Sequence, residues 1–157
     1  LVVAVSCVVA TAFVLPSVPA IIEGDALRIR QVVVNLLGNA VKFTERGEVL
    51  VIVDARDNAD GTVEIKISVQ DTGIGIPKDQ QLRLFEAFHS TKAEGLGIGL
   101  SLCRSIIESH HGRIKAENIY NGQVVMGCRF TFTLPIDNCD EADTGLPFPT
   151  DLLAEEP

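Results

Sequence analysis

The sequence predicts an α/β domain, because strand-like and helix-like patterns follow one another along the chain. A stretch rich in Val at residues 1–15 suits one or two buried strands. An amphipathic helix follows over residues 26–42, and two strand patterns come next, at 48–56 and 62–70. A short helix at about 78–85, a further helix and a last pair of strands complete the pattern. The 157 residues suffice for one ordinary domain with a sizeable core.

The charge distribution divides the chain into a predicted domain, residues 1–136, and an acidic tail, residues 137–157. The formal net charge is −8, but seven of the 21 acidic residues follow residue 136, and no Lys or Arg does. The tail's composition predicts a disordered segment or a linker. The rest of the chain is close to neutral, which argues against a sequence-independent nucleic-acid binder.

The cysteines and the N-terminus indicate a cytoplasmic domain that makes no direct contact with a membrane. The four cysteines are widely spaced, and three of them lie in apolar stretches, where a free Cys behaves as a small hydrophobic residue. The apolar N-terminus lacks a basic segment and is too short to cross a bilayer. We therefore favour a buried strand over a signal peptide there.

The first predicted helix carries an unusual polar stripe. Asp25 is the expected N-cap, and Arg28, Asn35, Asn39 and Lys42 project into one narrow sector opposite the apolar face. Asn is a poor helix former, whereas its amide oxygen can reach Mg²⁺ and Lys42 can neutralise a phosphate. From this pattern alone, a solvated helix face is an equally good interpretation.

Two glycine-rich segments supply further candidates. In D-T-G-I-G-I-P (71–77), Asp71 ends a strand, and Gly73 and Gly75 allow a flat base to approach the backbone. G-L-G-I-G-L (95–100) precedes a helix, so its N–H groups and the helix dipole suit phosphate. The alternatives are a simple turn and a hinge. There is no Walker A loop, and the glycine spacing does not favour a dinucleotide fold.

Together and in this order, these segments resemble the catalytic ATP-binding domain of two-component sensor histidine kinases. That domain belongs to a superfamily shared with gyrase, mismatch-repair and chaperone ATPases. R-I-R-Q-V-V-V-N-L-L-G-N-A-V-K-F-T resembles the N box, D-T-G-I-G-I-P the G1 box, L-F-E-A-F the F box and G-L-G-I-G-L-S-L the G2 box. The ending R-F-T-F-T-L-P resembles the family's last strand, and the match runs from about Leu15 to Pro135.

The resemblance implies a two-layer α/β sandwich of the Bergerat type, in which three helices cover one face of a mixed β-sheet. It implies ATP and Mg²⁺ as cofactors, Asn35 and Asn39 as metal ligands, and Asn35 and Lys42 as catalytic residues. Phe43 would pack beside the adenine, and Asp71 would accept a hydrogen bond from the adenine amino group. The implied nucleotide-binding residues are Asn35, Asn39, Lys42, Phe43, Asp71, Gly73, Gly75, Ile76, Thr91, Lys92, Gly95, Leu96, Gly97, Ile98, Gly99 and Leu100.

Two departures from the family pattern define the expected reaction. None of the three histidines has the context of a phosphoacceptor, so the resemblance implies transfer of the γ-phosphate to a His on a separate dimerisation domain, with a response regulator downstream. The hydrolysing ATPases carry a Glu at the position of Asn35, and an Asn cannot serve as a general base. The alternatives are a serine kinase of the anti-sigma-factor type and a non-catalytic nucleotide-binding or interaction module with a degenerate site.

Overall fold

The computed structural model describes residues 8–20, 24–59, 61–86 and 98–136. Within these ranges the chain forms five strands and three helices. The strands are β1 (Val8–Val14), β2 (Gly47–Asp57), β3 (Val63–Asp71), β4 (Arg113–Asn121) and β5 (Val124–Ile136), and the helices are α1 (Ala26–Phe43), α2 (Lys78–Gln81) and α3 (Gly99–Ser109). The acidic tail predicted at 137–157 lies outside the described residues.

The described strands form one mixed sheet in the order β1-β2-β3-β5-β4. β1 pairs with β2 in parallel, and the other neighbouring strands are antiparallel. β3 therefore lies at the centre of the sheet, and its last residue, Asp71, stands where the strand leaves the sheet. The α/β sandwich with a mixed sheet is confirmed.

The core forms between this sheet and helices α1 and α3. Alternate residues of β3 are buried because they face the helices, as the alternation of Val63, Ile65, Ile67 and Val69 predicts. Val32 and Leu36 of α1 are also fully buried, and they form part of the apolar stripe expected of an amphipathic helix. No helix in the described ranges is both long and apolar enough to cross a membrane.

Helix α2 is shorter than the helix predicted at 78–85. It ends at Gln81, and the chain continues in tighter turns in which Arg83 N donates to Gln80 O, and Glu86 N to Arg83 O, each at 3.0 Å. These turns carry Phe85 against the core, where its ring meets that of Phe130 edge to face, with centroids 6.4 Å apart. Packing of the aromatic side chain therefore accompanies the early end of the helix.

Candidate functional site

A cavity of about 180 Å³ lies between α1, the end of β3, the loop that follows β3, and the start of α3. Six of the residues predicted to bind nucleotide line it, namely Asn39, Phe43, Asp71, Gly75, Ile76 and Leu100. The other lining residues are Ala40, Ile74, Pro77, Gln80, Leu84, Cys128 and Phe130. Because the lining is mostly apolar with few polar groups, it has the character of a small-molecule site.

Asp71 is the buried acid of this cavity, with 3% of its surface exposed. Its Oδ1 accepts hydrogen bonds from Gly73 N at 2.9 Å and from Cys128 N at 3.4 Å, and its Oδ2 accepts one from Cys128 Sγ at 3.0 Å. These donors reduce the cost of burying the carboxylate. A carboxylate oxygen can accept more than one hydrogen bond, so Oδ2 retains capacity for a ligand donor.

Cys128 is a site residue that the sequence motifs did not indicate. It lies on β5, is 7% exposed, and its thiol donates to the acid that the motifs did indicate. Burial raises the pKa of this thiol well above its ordinary range, and the hydrogen bond and the negative charge of Asp71 raise it further. The thiol therefore stays protonated at neutral pH and acts as a hydrogen-bond donor, not as a nucleophile.

Two glycines and one side chain that is distant in sequence determine the path of the loop after β3. At Gly73 an added Cβ would collide with the backbone oxygen of Phe43, so the loop passes close against the end of α1. Gly75 has a φ of 75°, in the left-handed region that favours glycine. Ile76 is fixed by Asn118 of β4, whose side chain forms hydrogen bonds with both its N–H and its C=O.

The polar stripe of α1 reaches the start of α3. Asn39 Nδ2 donates to Asn35 Oδ1 at 3.4 Å, and a Cβ added to Gly99 would lie 2.8 Å from Asn35 Nδ2. Both amides are half-buried, so the middle of the stripe is not an ordinary solvated helix face, whereas Arg28 at its start is exposed. Lys42 lies one turn further on, exposed, with its ammonium 5.8 Å from the centre of the Phe43 ring.

The first turn of α3 offers backbone donors beside these amides. Ile98 occupies the N-cap position, and its side chain provides no cap. Within the described part of the chain, the first N–H groups of α3 consequently lack helical acceptors. Such a helix start suits an anion. The other predicted members of this lid and phosphate loop, Thr91, Lys92, Gly95, Leu96 and Gly97, lie outside the described residues.

The donor set for a metal consists of amides. The described residues contain no group of three or more His, Cys, Asp or Glu side chains arranged to hold a metal ion. The paired amides of Asn35 and Asn39 present neutral oxygen donors, which fit Mg²⁺ when phosphate oxygens and water complete its shell. Two neutral donors alone bind Mg²⁺ weakly, so a metal here would depend on a bound phosphate.

A comparison with protein families identifies the domain. The model of the histidine kinase-, DNA gyrase B- and HSP90-like ATPase family matches residues 24–138. The chain belongs to this family. The match begins one residue before the N-cap of α1 and extends two residues past β5, so it includes every segment that lines the cavity.

Several sensory and histidine-protein kinases are similar in sequence to this ATPase-family domain. It is 41% identical over 127 residues to the sensory/regulatory protein RpfC of Xanthomonas campestris, covering 76% of the chain and 17% of the relative. It is 36% identical over 126 residues to the signal transduction histidine-protein kinase BarA of Escherichia coli, covering 76% and 13%. The adaptive-response sensory kinase SasA of Gloeothece citriformis is 42% identical over 120 residues, covering 73% and 28%. The chain thus spans less than a third of each of these relatives.

Two solved structures align with most of this chain and agree with its assignment to the family. The structure of full-length ShkA in complex with AMPPNP aligns with a TM-score of 0.64 and 32% identity, covering 83% of this chain and 26% of that one. The nucleotide-free catalytic domain of the histidine kinase ThkA aligns with a TM-score of 0.61 and 29% identity, covering 83% and 82%. The recognition of this chain as the catalytic ATP-binding domain of a histidine kinase is confirmed.

Proposed function

We propose that this domain binds Mg-ATP, with the base in the 180 Å³ cavity and the phosphates between α1 and α3. We further propose that it presents the γ-phosphate to a His on the dimerisation domain of a parent histidine kinase. The observation that carries the proposal is the buried Asp71 carboxylate, which faces a cavity that Asn39 and Leu100 also line.

The size and chemistry of the cavity support a purine base as its occupant. Pockets for whole drug-sized ligands measure roughly 300–1,000 Å³, so 180 Å³ suits one flat ring system with the rest of the ligand outside. Asp71 Oδ2 would accept a hydrogen bond from the exocyclic amino group of adenine. Phe43 and Ile76 would contact the ring, and Gly73 and Gly75 would let the loop backbone approach it.

The phosphates would extend from the cavity towards the start of α3. The N–H groups of Gly99 and Leu100 would receive them together with Lys42 and the lid and phosphate-loop residues Thr91, Lys92, Gly95, Leu96, Gly97 and Ile98. The amide oxygens of Asn35 and Asn39 would hold Mg²⁺. When bound, the metal supplies charge neutralisation and orients the γ-phosphate for in-line transfer.

The side chain of Asn35 favours transfer over hydrolysis. An amide cannot take a proton from water, so the chain's own residues would position and neutralise the triphosphate without activating a nucleophile. Phosphoryl transfer depends chiefly on such positioning. The acceptor His would come from the parent protein, with a response regulator as the next partner. We place the domain at residues 1–136, followed by an acidic disordered tail or linker at 137–157. A cytoplasmic setting agrees with the free, buried thiols of Cys103 and Cys128.

Calorimetry tests nucleotide binding directly. Titration of Mg-ATP and Mg-ADP into the wild-type domain is expected to give saturable binding at one site, and AMP is expected to bind less well because it lacks most of the phosphate contacts. Heats equal to those of dilution for all three nucleotides would contradict the proposal and favour a non-catalytic interaction module with a degenerate site.

Phosphoryl transfer is tested by adding the parent's dimerisation domain together with radiolabelled Mg-ATP. A labelled product that is lost in acid and stable in base is expected, since this is the behaviour of phosphohistidine. A dimerisation domain with its acceptor His replaced by Gln is the matched control and should stay unlabelled. An acid-stable product would instead indicate the serine kinase alternative.

A further inference from the structure

The side chain of Asn118 on β4 forms two hydrogen bonds, here termed the clamp, with the main chain of the loop at 73–77. Asn118 Oδ1 accepts a hydrogen bond from Ile76 N at 2.7 Å, and Asn118 Nδ2 donates one to Ile76 O at 2.8 Å. One planar amide therefore satisfies both backbone groups of one residue, as a neighbouring strand does in an antiparallel pair. Ile76 itself belongs to a loop, between β3 and α2.

Among the described residues, Gly73 N donates to Asp71 Oδ1 at 2.9 Å, and the other hydrogen bonds of the loop at 73–77 are also longer than those made by Asn118. Ile74 N reaches Phe43 O at 3.4 Å, which is long for an N–H···O bond. Gln81 Nε2 gives Ile76 O a second donor at 3.1 Å. The N–H of Ile76, in contrast, depends on Asn118 as the acceptor that the described residues provide. This hydrogen bond is part-buried, and loss of the acceptor from an N–H that is shielded from water costs free energy, so the loop's position depends on this amide.

The strand register links the clamp to the acid of the cavity. Asn118 is paired with Cys128 across β4 and β5, and Cys128 donates to Asp71. One pair of neighbouring residues thus fixes two parts of the cavity wall. Cys128 holds the carboxylate through its thiol, and Asn118 holds the main chain of the residue five positions after that acid.

We propose that Asn118 is a positioning residue for nucleotide binding, which fixes the loop at 73–77 at the distance from Asp71 that a base requires. This inference rests on the proposed function. Asn118 does not line the 180 Å³ cavity, so it acts through Ile76. The Ile76 side chain lies in the hydrophobic core, so loss of the amide releases the loop backbone without removing its apolar anchor.

The test compares two substitutions with a control on the same strand. Asn118→Ala removes both hydrogen bonds, and Asn118→Asp keeps the acceptor for Ile76 N–H while losing the donor. Asn121→Ala is the control, since Asn121 is exposed at the end of β4. Calorimetry with Mg-ADP is expected to give an affinity about five- to tenfold weaker for Asn118→Ala, an intermediate value for Asn118→Asp and no change for Asn121→Ala.

Two further measurements separate positioning from general stability. Amide hydrogen exchange at Ile76 is expected to accelerate in Asn118→Ala, while the amides of β3 keep their protection and saturating ADP restores that of Ile76. Binding of inorganic tripolyphosphate with Mg²⁺ is expected to stay unchanged, because the clamp acts on the base cavity alone.

The outcomes distinguish this proposal from the proposed function. Wild-type ADP affinity in Asn118→Ala, or an Ile76 amide as protected as in the wild type, would overturn the role of Asn118 while leaving nucleotide binding intact. An equal loss of tripolyphosphate affinity would also overturn it, since it would indicate general damage. Absence of ADP binding in the wild type would refute the proposed function itself. If Asn118→Ala does not fold, the test uses Asn118→Asp, which loses only the donor to Ile76 O; weaker Mg-ADP binding than in the wild type is then expected, and wild-type affinity would overturn the role of Asn118.

Discussion

Replacement of Asp71 by Asn is the most informative single change in the proposed site. The carboxylate accepts from Gly73 N and Cys128 N on one oxygen and from Cys128 Sγ on the other. In Asp71→Asn, the amide oxygen can keep the two backbone donors, which leaves the NH₂ group where Oδ2 faces the ligand. That group would then meet the amino group of adenine, and two donors cannot pair.

The structure allows an estimate of the loss. A hydrogen bond to a charged acceptor contributes roughly 1.5–3 kcal/mol, so Mg-ADP should bind about 10- to 150-fold more weakly to Asp71→Asn in calorimetry. Thermal stability should change little, because the variant no longer buries a charge and keeps both backbone donors. Asp79→Asn is the matched control, since Asp79 is an exposed acid on α2. Equal affinities of wild type and Asp71→Asn would refute the role given to the carboxylate.

Three other changes test separate parts of the structure. Cys128→Val should weaken Mg-ADP binding about fivefold because Asp71 loses its thiol donor, whereas Cys128→Ser should bind like the wild type; equal binding by all three proteins would contradict that role. Gly75→Ala should lower the free energy of unfolding in urea by about 1–2 kcal/mol, because alanine is strained at a φ of 75° and its Cβ would collide with Val125 Cγ1; an unchanged midpoint would refute both effects. Burial raises the pKa of the Cys103 thiol from 9.0 to about 11, partly offset by a backbone hydrogen bond, so the thiol's contribution to stability holds below pH 9 and declines as the pH rises towards 11. Urea titrations from pH 8 to 11 should show a shallower decline for Cys103→Ala than for the wild type, and parallel curves would contradict the shift.

The parts of the site that follow local patterns could be predicted from the sequence. The amide stripe of α1 depends on helical spacing, and the place of Asp71 depends on the alternation of the strand before it. The chain from the end of α1 to Asp71 forms β2 and β3, which pair regularly as antiparallel neighbours in the sheet. Local periodicity therefore sufficed to place Asn39 on a helix and Asp71 at the end of a strand, whereas their related functions were implied by the resemblance of the ordered motifs to the histidine kinase family. The structure brings both residues to one cavity.

The contacts that support the site could not be predicted in this way. Asn118 meets Ile76 across 42 positions of sequence, and Cys128 meets Asp71 across 57. The contact of Cys128 with Asp71 depends on the register of β3 and β5, in which Gln70 is paired with Arg129. The position of Asn118 depends on the register of β4 and β5, which shifts between Ile119 and Tyr120. A one-residue shift reverses which side chains face the site, and no local pattern specifies such a shift.

The central claim is that one cleft receives the base at Asp71 and the phosphates at the start of α3. A crystal structure of the domain with Mg²⁺ and a non-hydrolysable ATP analogue tests it most directly. We expect the adenine amino nitrogen within about 3.2 Å of Asp71 Oδ2, the metal at the amides of Asn35 and Asn39, and phosphate oxygens beside the N–H groups of Gly99 and Leu100. A base bound outside the 180 Å³ cavity, or phosphates directed away from α3, would contradict the claim.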